Sequence, residues 1–155
     1  MNIVILGCGR VGSTLARHLA NEGHRVTIID RSSDAFRRLG TKFKGQKVVG
    51  TGLDQDTLRK AGIEDADAFV AVTQGDNTNI MAAQIAQNVF SIKKVLTRLY
   101  DPIRAEAYRE LGIDTICTTT LVSGLFHSAL IEDKTDSNWR SILQALDQRM
   151  HGLND

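Results

Sequence analysis

The sequence predicts an α/β protein built on a doubly wound, six-stranded parallel sheet in the order 3-2-1-4-5-6, followed by C-terminal crossover helices. Three observations predict it. Short Val- and Ile-rich runs alternate with helical patterns along the chain, as strand-helix units do. Two of those runs, Ile3-Val4-Ile5-Leu6 and Phe69-Val70-Ala71-Val72, are continuously apolar, which marks strands buried on both faces. The first of them runs into Gly7-Cys8-Gly9-Arg10-Val11-Gly12, a glycine turn at the opening of a helix, which makes the sheet Rossmann-type.

Taken in order, the strands are expected at Asn2 to Leu6, Arg25 to Ile29, Gln46 to Val49, Ala68 to Val72, Lys94 to Leu99 and Asp114 to Thr118. In the first helix Val11, Leu15 and Leu19 recur four apart, with Ala16 and Ala20 beside them, and Gly23 ends it. A second helix is expected from an N-cap at Ser32 to about Lys42, and a short third one after the capping oxygens of Asp54-Gln55-Asp56-Thr57. The fourth starts near Asp76 and presents Met81, Ile85 and Val89; the fifth spans about Ile103 to Leu111. Two more close the chain, one striped by Leu121, Val122, Leu125, Phe126, Ala129 and Leu130, the other by Trp139, Ile142, Leu143, Leu146 and Met150. Glu132 to Asn138 between them is polar and reads as a linker.

Composition narrows the function. The 155 residues suffice for one domain with its own core. Nineteen Lys and Arg against 18 Asp and Glu leave a net charge of +1, so no overall field recommends nucleic acid as a partner. Cys8 and Cys117 lack companions at metal-ligand spacing, so neither a metal site nor a disulfide is indicated, and a reducing compartment fits best. Without a basic leader or a run of roughly 20 apolar residues, the chain is expected to be cytoplasmic and to meet a membrane only through a partner.

The glycine turn carries the chemistry. Gly7 takes the tight turn, Gly9 leaves room for a phosphate, and Gly12 lets the helix pack closely on the strand. The first amides of the helix then face the phosphates, with the positive end of its dipole behind them. Asp30 ends the second strand 18 residues beyond Gly12, near the spacing at which an acid accepts bonds from an adenosine ribose. It also opposes a cofactor bearing a 2′-phosphate, a preference that Arg31 weakens. Two further loops open on the same crevice: Gly50-Thr51-Gly52-Leu53-Asp54, with Leu53 and glycine backbone beside an adenine, and Thr73-Gln74-Gly75 through Asn79, on the phosphate side. A thiol at a helix N-terminus has a lowered pKa when exposed, but Cys8 between two glycines reads first as filler under the loop.

These residues resemble the N-terminal nucleotide-binding lobe of the RCK (KTN, or TrkA-N) family, over about Met1 to Leu130. The resemblance rests on the glycine turn, on Gly50 to Ala68, on Val70-Ala71-Val72-Thr73 with Gly75-Asp76-Asn77-Thr78-Asn79, and on Tyr100-Asp101-Pro102. It implies a cytosolic regulatory subunit of a Trk- or Ktr-type potassium uptake system, beneath the inner face of the membrane. The ligand would be NAD, NADH, ATP or ADP, and the helix after the sixth strand would mediate dimers and octameric rings. Arg10 would reach a terminal phosphate, Asp30 the ribose, and Gly52 with Leu53 the adenine edge; Arg98 is a second phosphate candidate. Two features depart from the family. No room remains for the second regulatory lobe, so the chain is a short subunit, a fragment, or one partnered by a second RCK-type chain. Thr118-Thr119-Thr120 stands where some relatives place an acid that helps hold a cation.

Residues 1–131 are therefore expected to form the nucleotide-binding domain and 132–155 a linker and helix. A catalytic role is not expected: His18 and His24 read as solvated surface, His127 lies on the less apolar side of its helix, and His151 is in the tail. The alternative is an NAD-dependent oxidoreductase fragment lacking its substrate domain.

Overall fold

The computed structural model describes residues 1–131 and 138–150. Six strands form one parallel sheet in the order β3-β2-β1-β4-β5-β6: β1 Asn2–Leu6, β2 Arg25–Asp30, β3 Gln46–Val49, β4 Ala68–Ala71, β5 Lys94–Leu99 and β6 Asp114–Cys117. The helices are α1 Arg10–Asn21, α2 Gln55–Lys60, α3 Asp76–Asn88, α4 Pro102–Glu110, α5 Thr118–Ile131 and α6 Asn138–Met150. Short 3-10 helices cover Ser33–Leu39 and Ile63–Asp65.

β1 lies centrally, pairing Leu6 with Ile29 of β2 on one side and with Ala71 of β4 on the other. Both faces of the sheet are covered there. On one side Ile3, Ile5, Val26 and Ile28 pack with Ala16, Phe36 and Leu39; on the other Val4, Leu6, Ile29 and Phe69 pack with Leu58, Ala82, Ala83 and Ala86. Burial on both faces explains why these strands read as unbroken apolar runs. The order reverses at β1 and β4, opening a crevice beyond their carboxyl ends.

Several expectations shift. The segment after β2 is not an α-helix to Lys42 but a 3-10 helix ending at Leu39, where Gly40 turns at φ 71°. Phe36 and Leu39, three apart, are its buried residues, the repeat of a 3-10 helix, whose i and i+3 side chains eclipse. Ser32 precedes it without a side-chain capping bond. In α3 the buried face is Asn79, Ile80, Ala82, Ala83 and Ala86, while Met81 and Val89 are exposed. Three alanines let α3 lie close on β4 and β5, so the larger side chains turn outward. Val11 does not join the buried face of α1 and is exposed at the crevice. His18, expected at the surface, is only 7% exposed, and its Nε2 has no hydrogen-bond partner; α1 packs against the 3-10 helix as well as the sheet.

α5 follows β6 directly and buries none of its residues. Leu121, Val122, Phe126, Leu130 and Ile131 are all exposed, as are Ile142, Leu143 and Leu146 of α6, although the two helices touch. The expected linker falls, apart from Asn138, outside the described residues, as do the side chains of Trp139 and Met150. Among the described residues no helix is long and apolar enough to cross a membrane.

Candidate functional site

The crevice at the strand ends has a volume of about 760 Å³, within the range of small-molecule sites. Its floor is the turn between β1 and α1. Gly7 stands at φ 105°, where a side chain is strained, and a Cβ on Gly12 would lie 1.8 Å from the Gly7 carbonyl oxygen. Gly9 differs: nothing lies within 4 Å of an added Cβ, so the space above it is open to a ligand.

Asp30, at the end of β2, closes this turn. Its Oδ2 accepts from Cys8 N at 2.7 Å and its Oδ1 from Ser32 N at 2.9 Å. Each oxygen keeps a further lone pair for a ligand hydroxyl. Beneath the turn Cys8 is fully buried, and its Sγ donates to the Ala35 carbonyl at 3.4 Å. Burial, and then the Asp30 carboxylate, push its thiol up to about 11. Buried beneath the turn, Cys8 sits as the filler read from the sequence, where burial disfavours the thiolate.

Two helices begin at this crevice without a side-chain cap, α1 at Gly9 and α3 at Gly75. α2 and α4 are capped by Asp54 and Asp101, each through two backbone amides. The uncapped amides and helix dipoles favour an anion in the crevice. The lining side chains agree: Arg10, Arg31, Arg38 and Arg98 against the single acid Asp30.

Of the residues singled out from sequence, the structure brings Gly7, Cys8, Gly9, Arg10, Val11, Asp30, Arg31, Thr51, Gly52, Thr73, Gln74, Gly75 and Arg98 to this lining. Gly12 lies behind the turn, against Gly7 and Val72. Leu53 and Asn79 do not line the crevice. Leu53 packs against the core cluster of β1, β2 and α3, and Asn79 is wholly buried behind the β4-α3 loop. Arg98 is held more firmly than a solvated arginine: its Nη2 donates to Val72 O at 3.1 Å and Thr73 O at 2.7 Å, and its guanidinium lies 4.7 Å from the Tyr100 ring centre.

Gly50 and Thr78, from the two loops expected to open on the crevice, line it as well, whereas sequence reasoning missed Ala35, Arg38 and Tyr100. Ala35 and Arg38 are three residues apart in the 3-10 helix, whose i and i+3 side chains eclipse, and both face the crevice. Among the described residues no group of three or more His, Cys, Asp or Glu is placed to hold a metal ion.

A parallel sheet with a glycine turn, an acid at the end of β2 and two open helix N-termini at its switch point defines the Rossmann class of nucleotide-binding folds. The chain belongs to the TrkA-N domain family, whose model matches residues 3–119. A relative from Streptomyces coelicolor, named Trk system potassium uptake protein TrkA, is 51% identical over 140 residues, 90% of this chain and 63% of that protein. The chain thus spans less than two thirds of this relative's length. Among solved structures, a Kef C-terminal domain of Shewanella denitrificans in AMP-bound form superposes with a TM-score of 0.75, at 21% identity, covering 97% of this chain and 96% of that one. A GsuK channel bound to NAD gives a TM-score of 0.66 at 18% identity, covering 81% of this chain and 22% of the channel.

Proposed function

We propose that the crevice binds an adenine nucleotide, NAD, NADH, ATP or ADP, and that the chain is a cytosolic regulatory subunit rather than an enzyme. The observation that carries this reading is the open space above Gly9, between two uncapped helix N-termini, with Asp30 at the far end of the turn. Asp30 would take the ribose hydroxyls, the α1 amides and Arg10 the phosphates, and Arg98 a group toward β4. The AMP, NAD and TrkA in the names of the similar proteins support the same ligand class.

Regulation requires two forms that the ligand binds unequally. Residues 1–131 serve as the nucleotide-binding domain and 132–155 as a linker and helix; the exposed apolar residues of α5 and α6 support self-association into a dimer or an octameric ring. The partner is a Trk- or Ktr-type potassium transporter, held from its cytoplasmic side, with a second RCK-type subunit supplying any further lobe.

Thermal unfolding of ligand-stripped protein against AMP, ADP, ATP, NAD, NADH and NADPH tests this. Ligand at about a hundred times its Kd adds roughly 2.7 kcal/mol when it binds only the folded state. A rise with ADP, ATP or NADH supports the reading, and no rise with any nucleotide overturns it. Steady turnover of NADH with a carbonyl substrate would instead favour the oxidoreductase.

A further inference from the structure

We propose that Asn79 is a positioning residue: it holds the Thr73-to-Gly75 wall of the crevice in the shape that meets the part of a nucleotide beyond its first phosphate. This inference rests on the nucleotide-binding reading. Asn79 is 0% exposed and does not touch the crevice. Its Oδ1 accepts from Thr73 N at 2.8 Å and from Thr73 Oγ1 at 2.7 Å, and its Nδ2 donates to Thr73 O at 3.0 Å and to Arg98 O at 2.8 Å. Two donated and two accepted bonds use the full capacity of the amide.

The place of these bonds gives them meaning. The parallel pairing of β4 with β5 ends at Ala71 and Thr97, so Thr73 and Arg98 lie beyond the last paired residues. Asn79 replaces the missing strand-to-strand bonds, joining the two backbones through its side chain. Arg98 completes the frame by donating Nη2 to Thr73 O at 2.7 Å, so that this carbonyl receives two bonds. The N, O and Oγ1 of Thr73 are thereby all engaged, and Gly75 leads from this fixed point into the uncapped start of α3. A wall fixed before binding spares the ligand the cost of ordering it. AMP ends at its first phosphate and makes little use of this wall, whereas ADP and NADH extend past it.

The test is calorimetric titration of wild type, Asn79→Asp and Asn79→Ser with AMP, ADP and NADH, with urea unfolding alongside. Asn79→Asp keeps both acceptor bonds to Thr73 and loses both donors. In folded variant protein, ADP and NADH should weaken about tenfold, the effect of roughly one lost hydrogen bond, with AMP held within about twofold. An equal loss for all three ligands, or no loss, overturns the proposal. Wild type that binds AMP but neither longer ligand overturns it while sparing the crevice; wild type that binds none overturns the nucleotide reading itself. Where the Asn79 variants do not fold, Thr73→Val removes the 2.7 Å hydroxyl bond to Asn79 together with the longer hydroxyl contacts to Gly75, and Thr73→Ser restores them. Valine should then reproduce the selective loss for ADP and NADH over AMP, and serine should reverse it; any other pattern counts against the proposal.

Discussion

The Asp30 carboxylate accepts a 2.7 Å hydrogen bond from the backbone amide of Cys8, across the turn that separates β1 from α1. The acid at the end of β2 therefore shapes the glycine turn before any ligand arrives. Asp30→Ala strands two amides, Cys8 N and Ser32 N, and bonds to a charged acceptor contribute about 1.5–3 kcal/mol each. Because the site is only part-buried, water recovers some of this, and the expected loss is about 2 kcal/mol in urea unfolding. Ligand-induced thermal stabilisation should vanish in the same variant. An Asp30→Ala protein as stable as wild type would show that the turn holds its shape without the acid.

Gly9 and Gly12 make opposite predictions although they occupy one motif. Gly9 sits at φ −75°, ψ −167°, a conformation open to any residue, and nothing lies near its missing Cβ. Gly9→Ala should change folding stability by no more than about 0.5 kcal/mol while weakening nucleotide binding at least tenfold by occupying the ligand's space. Gly12→Ala drives a methyl into the Gly7 carbonyl, and should cost roughly 3 kcal/mol or prevent folding. Chemical unfolding paired with calorimetry separates the two; equal destabilisation by both would refute the distinction.

The framework was legible because it depends on local signals. Ile3 to Leu6 reads as a strand through unbroken burial, and Gly7, Gly9 and Gly12 announce the turn by spacing. What escaped depends on contacts from distant segments. Arg38 lines the crevice from a 3-10 helix that packs on α1 and β2. Asn79 looked like a ligand because its loop opens on the crevice, but its four bonds go to Thr73 and Arg98, and the latter belongs to β5. The burial of His18 likewise depends on tertiary packing rather than on the pattern of α1.

Cys8 should make stability fall in alkaline solution. Its thiol is raised from 9.0 to about 11 in the folded protein, so the folded state disfavours the thiolate. The contribution is fully present below pH 9.0 and is lost as pH rises toward about 11. Across that interval it amounts to on the order of 2 kcal/mol. Cys8→Ala lacks this slope, so urea unfolding of both proteins from pH 8 to 11 should give a difference that shrinks with pH. A constant difference would mean that the buried thiol is not disfavoured as a thiolate. Below pH 9 the native protein should also react slowly with thiol reagents, faster only when unfolded.

The exposed apolar residues of α5 make the assembly testable apart from the ligand. Phe126 is 66% exposed and Leu130 81%, and four residues apart they share one face of the helix. Neither belongs to the core clusters beneath the sheet, so charging them leaves the nucleotide domain intact. Phe126→Glu with Leu130→Glu should convert an assembled wild type into monomer by light scattering at micromolar concentration. The sheet's response to nucleotide should persist, because the crevice lies at the ends of β1 and β4. If ligand serves to choose between assembled geometries, the monomer should bind it but lose any cooperativity between sites. A wild type that is already monomeric at this concentration, with both helices present, would remove self-association from the proposed function and leave nucleotide binding standing alone.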